Sequence, residues 1–180
     1  MFDFITDKNI YEKVICDRIG NAKRFLWIAT SDLKDLHVKK RNKMVPFLEI
    51  LSDLVTEHVE IRLLHAKEPG PAFRNDFDRY PNLISGMERI LCPRVHLKTV
   101  IIDGCFAYAG SANLTGAGMG AKSEHKRNFE SGFITDNKNT IEKIMEQFDS
   151  IWRGNHCKKC LRKKYCSDFL DMQADIPYKK

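Results

Sequence analysis

Long apolar runs are missing from this sequence. No segment of its 180 residues approaches the roughly 18 consecutive apolar residues of a membrane span. The opening Met1-Phe2-Asp3-Phe4 has neither the basic n-region nor the apolar h-region of a secretory leader. The expectation is a soluble, cytoplasmic protein with no membrane anchor. Proline is scarce, at six residues, and no low-complexity segment or internal repeat is found, which argues against Pro-rich linkers and solenoid arrays. An ordinary globular chain remains, with 43% hydrophobic residues to fill its core.

Cysteine is better represented, with six residues. In a reducing compartment these make a poor disulfide framework, and a chain of this length buries a core without covalent staples. Clustered cysteines therefore point to metal. The formal net charge of +6 favours a polyanionic partner, and its distribution matters more than its size. From Arg153 to Lys180 there are eight Lys/Arg against three Asp, a local excess of +5. A second basic run, Lys39-Lys40-Arg41 with Lys43, falls where a loop is expected. A merely solvating surface is the plain alternative for both.

Hydrophobic periodicity gives a coarse architecture. Ile10, Val14, Ile15 and Ile19 recur at helical spacing, with Asp7 as a candidate cap and Gly20 as a stop. Phe25 to Ala29 reads as a buried strand, Val45 to Glu57 as a helix and Val59 to Leu64 as a second strand, together a βαβ unit. Glu68-Pro69-Gly70-Pro71 opens a loop, and Asn82 to Ile90 reads as a short helix. Val95 to Ile102 and Phe106 to Ala109 read as strands joined by a tight Asp103-Gly104 turn. Phe129 to Thr135 gives one more strand. Thr140 to Trp152 closes as a helix with Ile141, Ile144, Met145, Phe148 and Ile151 inward. Residues 1–153 form one unit on this reading, and 154–180 a basic, cysteine-rich tail.

The hairpin carries the most specific signal: His96-Leu97-Lys98, four residues, Asp103, six residues, then Gly110-Ser111-Ala112-Asn113. This HxK(x)4D(x)6GSxN pattern is too specified for chance to be its source. It resembles the phospholipase D superfamily, as does Arg127-Asn128-Phe129-Glu130 at the start of the next strand. The resemblance covers about residues 4–152 and implies an α/β/α sandwich around a mixed central sheet.

The chemistry can be argued from the residues themselves. Alternate side chains of a strand share a face, so His96 and Lys98 meet one phosphate while Leu97 packs behind. An imidazole is a competent nucleophile toward phosphorus, and a fixed ammonium stabilises charge on the equatorial oxygens. Ser111 and Asn113 follow Gly110 in a loop where hydroxyl, amide and backbone N–H groups can hold the remaining oxygens. This chemistry calls for no metal. Asp103 reads as a structural residue fixing the turn. The resemblance implies that Glu130 orients His96, and a carboxylate on Nδ1 would leave Nε2 free to attack.

A phosphohistidine mechanism also needs an acid for the leaving oxygen, which in this superfamily is a second motif histidine. Here there is one motif. His65-Ala66-Lys67 mimics HxK, but Ala72 and Arg79 stand where Asp and Gly would be needed, so His65 reads as a structural histidine. The resemblance therefore implies the single-motif branch of dimeric nucleases, in which two chains each contribute His96 to one shared site: a homodimer.

The second signal is Cys157-Lys158-Lys159-Cys160, five residues, then Cys166. CxxC lets one turn aim two thiolates at one ion. The CxxC(x)5C spacing resembles the C-terminal triplet of iron–sulfur nucleases, which implies a [4Fe–4S] cluster; structural zinc is the close rival, and reduced free thiols the plain alternative. Topology favours Cys92 as fourth ligand, since it lies four residues before His96 on the sheet edge where the closing helix ends. His156 comes second; Cys16, expected in the core, and Cys105, expected at the opposite edge, come after.

The combined expectation is a metal-independent phosphodiesterase, foremost a nuclease on DNA or RNA, whose Lys39, Lys40, Arg41 and basic tail contact the phosphate backbone. A phospholipid hydrolase or phosphatidyltransferase is the alternative. A binding or redox-sensing module with a vestigial site fits less well, because every motif residue is intact.

Overall fold

The computed structural model describes residues 1–34 and 36–170, so that residues 171–180, with Lys179 and Lys180 of the basic excess, lie outside the described part. In chain order its strands are β1 (Phe2–Thr6), β2 (Phe25–Thr30), β3 (His37–Lys40), β4 (Lys43–Pro46), β5 (Glu60–His65), β6 (Met87–Leu91), β7 (Thr99–Ile102), β8 (Phe106–Gly110) and β9 (Ser131–Thr135). The helices are α1 (Lys8–Ile10, continued by a π-helical Tyr11–Cys16), α2 (Phe47–Thr56), α3 (Pro71–Phe77), α4 (Asn82–Gly86) and α5 (Lys138–Trp152).

Seven strands form one sheet in the order β1-β9-β8-β7-β2-β5-β6. β5 runs parallel to both β2 and β6, and every other pairing is antiparallel. This is the expected mixed sheet. The βαβ unit forms through β2, α2 and β5, because two short apolar runs flank an amphipathic helix whose Leu48, Leu51 and Leu54 are buried. One face of the sheet, with Ile28, Val100, Tyr108 and Ile134, packs under α1 and α2. The other, with Ala29, Leu64, Ile101 and Ala107, packs under Ile141 and Phe148 of α5. The result is an α/β/α sandwich. Asn137 caps α5, its Oδ1 accepting from Thr140 N at 3.0 Å.

Several expectations are corrected. The basic run is no loop but the β3–β4 hairpin, turned by Arg41 and Asn42 at φ 45° and 67°. Asn82 to Ile90 is only half helical: α4 stops at Gly86 and the rest becomes β6, an edge strand whose exposed Glu88 and Arg89 hide its period. Pro71 starts helix α3, where the 68–71 stretch was expected to open a loop. Phe2–Thr6 is a strand without a signal in the apolar pattern, because it buries Ile5 and leaves Phe2 and Phe4 outside. Asp7 stands at the N-cap position of α1 but its side chain makes no capping bond, and Cys16 is exposed, not in the core. No helix among the described residues is long and apolar enough to cross a membrane.

Candidate active site

The hairpin β7–β8 reverses through Asp103 and Gly104, both left-handed at φ 54° and 69°. Asp103 turns its carboxylate to the backbone N–H groups of Lys23, Arg24 and Phe25 at 2.9, 2.7 and 2.9 Å. Burial works to raise its pKa, but these three donors outweigh it and hold the carboxyl below its usual value. Asp103 thus ties the turn to the start of β2, at the opposite end of β7 from His96.

At the other end the chain enters β7 in irregular extended form, regular pairing beginning only at Thr99. His96 is exposed and Lys98 is buried, 7% accessible. Lys98 Nζ lies 3.1 Å from His96 Nδ1 and donates to His96 O at 2.7 Å. Burial pulls the Lys98 pKa below the ordinary ammonium value, against the opposing charge of Glu130. The two motif side chains are therefore brought together as their spacing requires.

The GSxN segment follows directly from β8. Gly110 N donates to Lys98 O at 3.1 Å, extending the ladder past Thr99. A Cβ at Gly110 would stand 2.5 Å from Ser131 O and 2.8 Å from Gly132 Cα, so this crossing admits glycine alone. Ser111 Oγ donates to Glu130 Oε2 and accepts from Ser131 N at 3.1 Å. Asn113 Oδ1 accepts from Ser31 Oγ at 2.7 Å, which leaves its amide N–H groups for an anionic oxygen. Beneath them Tyr108 is fully buried, and burial pushes its phenol up to about 12.

Glu130 is placed at the site but not where it was expected. Its carboxylate accepts from Ser111 and from Asn128 Nδ2 at 3.0 Å, while the neighbour of His96 Nδ1 is Lys98. The reason lies in the backbone. Glu130 O accepts from Asp7 N at 2.9 Å and Glu130 N donates to Asp7 Oδ1 at 3.0 Å, which clamps the residue over the serine loop. Asp7, Ser31 and Asn128 join the site without having been expected there. Ser31 had a signal, since it follows a strand whose carboxyl end lies where open α/β sheets bind ligands; Asp7 is contributed from 123 positions away and had none.

The basic residues divide. Lys40 is engaged by Glu49, at 2.8 Å, and by Asp53 of α2. The bond to Asp53, then that to Glu49, raises its pKa. Lys39, Arg41 and Lys43 are exposed around the hairpin tip. Of the tail, Lys158, Lys159, Arg162, Lys163 and Lys164 are exposed. His65 is buried, 2% accessible, with Nδ1 2.9 Å from Lys67 O, and burial lowers its pKa.

Cys92, Cys157, Cys160 and Cys166 line one small pocket, joined by His156. Cys105 is exposed in the Asp103–Gly104 turn region and Cys16 on α1, so neither belongs to this group. His156 Nε2 lies 2.9 Å from Ser150 Oγ. As the side chains stand among the described residues, no three His, Cys, Asp or Glu groups have ligating geometry.

Residues 15–152 match the family described as cardiolipin synthase, PLD-like domain. No curated protein matches the sequence. Among solved structures, the phospholipase D family member Nuc from Salmonella typhimurium superposes with a TM-score of 0.63 at 15% identity, covering 84% of this chain and 93% of its own. TrmBL2, described as an archaeal chromatin protein with a novel mode of DNA binding, gives 0.58 at 14% identity, covering 84% of this chain and 51% of its own. The phosphatidylserine synthase of Haemophilus influenzae Rd KW20 gives 0.59 at 13% identity, covering 81% and 35%.

Proposed function

Given that the chain belongs to the PLD-like domain family, we propose that it is a phosphodiesterase that cleaves nucleic acid through a phosphohistidine, two chains sharing one site. The observation that carries this reading is the pairing of an exposed His96 with a buried Lys98 3.1 Å away, opposite the Ser111–Asn113 loop. A phosphate seated there takes its charge partners from Lys98 Nζ, Ser111 and Asn113 Nδ2.

An ammonium beside Nδ1 donates to it, so the neutral His96 ring carries its proton on Nε2 before substrate arrives. An incoming phosphate competes for Lys98 and frees Nδ1 to hold that proton. Nε2 then attacks phosphorus as the P–O bond to the leaving group breaks, and the partner's protonated imidazole at the equivalent His96 gives its proton to the leaving oxygen. Water, deprotonated by that same imidazole, hydrolyses the N–P bond and restores both rings. The dimer is supported by exposed apolar surface: Phe129, beside Glu130, is 98% exposed, and Phe2 and Phe4 on edge strand β1 are 68% and 67% exposed.

Nucleic acid is favoured as substrate by the exposed cations of the β3–β4 tip and of the tail. A phospholipid phosphodiester would use the same site chemistry, and the likeness to a phosphatidylserine synthase keeps it as the second reading. The deciding experiment is cleavage of labelled single- and double-stranded DNA and RNA, and of phosphatidylglycerol vesicles, in excess EDTA by wild type and His96→Asn. Wild type is expected to cut nucleic acid and the variant to bind without cutting. Turnover by His96→Asn near the wild-type rate would refute the nucleophile, and cleavage of lipid alone would replace the substrate.

A further inference from the structure

Four of the six cysteines converge from two distant parts of the chain. Cys92 follows β6, whereas Cys157, Cys160 and Cys166 belong to the segment after α5. Ile151 and Phe169 line the same pocket, in which the four thiols are half-buried. The surrounding backbone is built to hold them. Cys157 N donates to Gly154 O at 2.9 Å and Cys160 N to Cys157 O at 3.0 Å, two successive tight turns that the left-handed Gly154 (φ 72°) makes possible. Arg162 N donates to Cys160 Sγ at 3.4 Å, a hydrogen bond that a thiolate accepts better than a thiol.

The tail is already docked where this site requires. Asp168 Oδ2 accepts from Leu91 N at 2.7 Å, and Arg162 Nη1 donates to Pro93 O at 3.1 Å. Cys166 Sγ is turned to Leu91 O at 3.5 Å, so ligation asks this side chain, and others of the four, to turn into the pocket they already line. Arg94 lines the same pocket and Lys158, Lys159 and Lys163 are exposed nearby in sequence, which offsets the charge that four thiolates around a divalent ion would leave.

We infer that Cys92, Cys157, Cys160 and Cys166 form a four-thiolate site for a thiophilic metal, zinc or an iron–sulfur cluster, which fastens the basic tail to the segment leading into His96. Binding releases the thiol protons and leaves each sulfur as an anionic ligand. For zinc, all-cysteine coordination leaves no open position, so the ion would be structural and stand apart from the phosphodiester chemistry. Its place in the chain gives it reach: Cys92 precedes His96 by four residues.

The test is metal analysis of full-length protein purified both in air and anaerobically, with the visible spectrum of each sample. About one zinc per chain, or iron with acid-labile sulfide and a broad absorption at about 400 nm, is expected, and the two results distinguish the metal. Loss of that metal in Cys92→Ser, with Cys105→Ser unchanged, assigns the fourth ligand. Because Cys92→Ser can also fail by misfolding, alkylation of the wild-type protein with and without chelator gives a second readout. The bound metal should shield Cys92, Cys157, Cys160 and Cys166, while exposed Cys16 and Cys105 react in both samples. Zinc and iron each below about a tenth of an equivalent in both preparations, or equal alkylation of all six thiols, overturns the site.

Discussion

At the scale of single residues, burial separates the histidines. His96 is exposed, as the proposed nucleophile requires, whereas His65 is sealed at the end of β5 with Nδ1 on Lys67 O. Burial, the largest cause, puts the folded pKa of His65 below its ordinary 6.5. Stability from this group is therefore complete above about pH 6.5 and falls as pH drops through that value toward the folded pKa, because the unfolded chain takes the proton first. The slope of unfolding free energy against pH approaches about 1.4 kcal/mol per unit for one such proton. Urea titrations between pH 5 and 8 should show a shallower acid slope for His65→Gln than for wild type, whatever the offset between them. Parallel curves would remove His65 as the titrating group. The same distinction was readable in the sequence only through the failed spacing of Ala72 and Arg79, since composition cannot tell a buried imidazole from an exposed one.

Among the elements, the β3–β4 hairpin shows how a basic run can be split by its fold. Strand alternation turns Lys39 away from the face on which Lys40 meets Glu49 and Asp53 of α2, while Arg41 and Lys43 are exposed at the tip. Lys40→Ala should cost at most about 1 kcal/mol of stability and leave the salt dependence of nucleic-acid binding unchanged. Lys39→Ser, Arg41→Ser and Lys43→Ser together should flatten the log–log salt slope by up to about 0.9 for each phosphate no longer neutralised, with little change in stability. An unaltered slope in the triple variant would take the hairpin off the binding surface. What was legible at this scale followed the apolar periodicity. β2, α2, β5, β7, β8 and α5 each carry a run or face that only burial explains. β1 and β6 escaped because an edge strand needs only part of one face covered. Glu88 and Arg89 break the pattern in β6, and in β1 the aromatic residues are the exposed ones. The motif gave His96, Lys98, Ser111 and Asn113, and the family resemblance added Glu130, but the clamp of Asp7 on Glu130 joins distant parts of the chain and is invisible to local spacing.

Over the whole molecule, one motif per chain forces a choice between a site that acts alone and one completed by a second copy. A lone His96 can take the phosphoryl group, but the leaving oxygen then needs an acid, and the other motif and family groups are Lys98, Ser111, Asn113 and Glu130. Glu130 is held by Ser111 and Asn128 and makes no hydrogen bond to the imidazole it would have to assist. On the proposed reading, a second His96 across a twofold axis would supply the missing proton without any new residue type. The consequence is measurable in a mixed dimer. Wild-type and His96→Asn chains carrying different tags, co-expressed and purified through both tags, give a dimer with one intact imidazole. Independent sites would retain about half the wild-type rate, whereas a shared site that needs both rings should fall by about 10²-fold or more, the contribution of a positioned acid or base. Phe129→Asp tests the same geometry from the surface. Placing a charge on a 98% exposed ring beside Glu130 should shift the sedimentation coefficient to that of a monomer and remove activity together. A monomer that still cleaves at the wild-type rate would show that each chain completes its own chemistry.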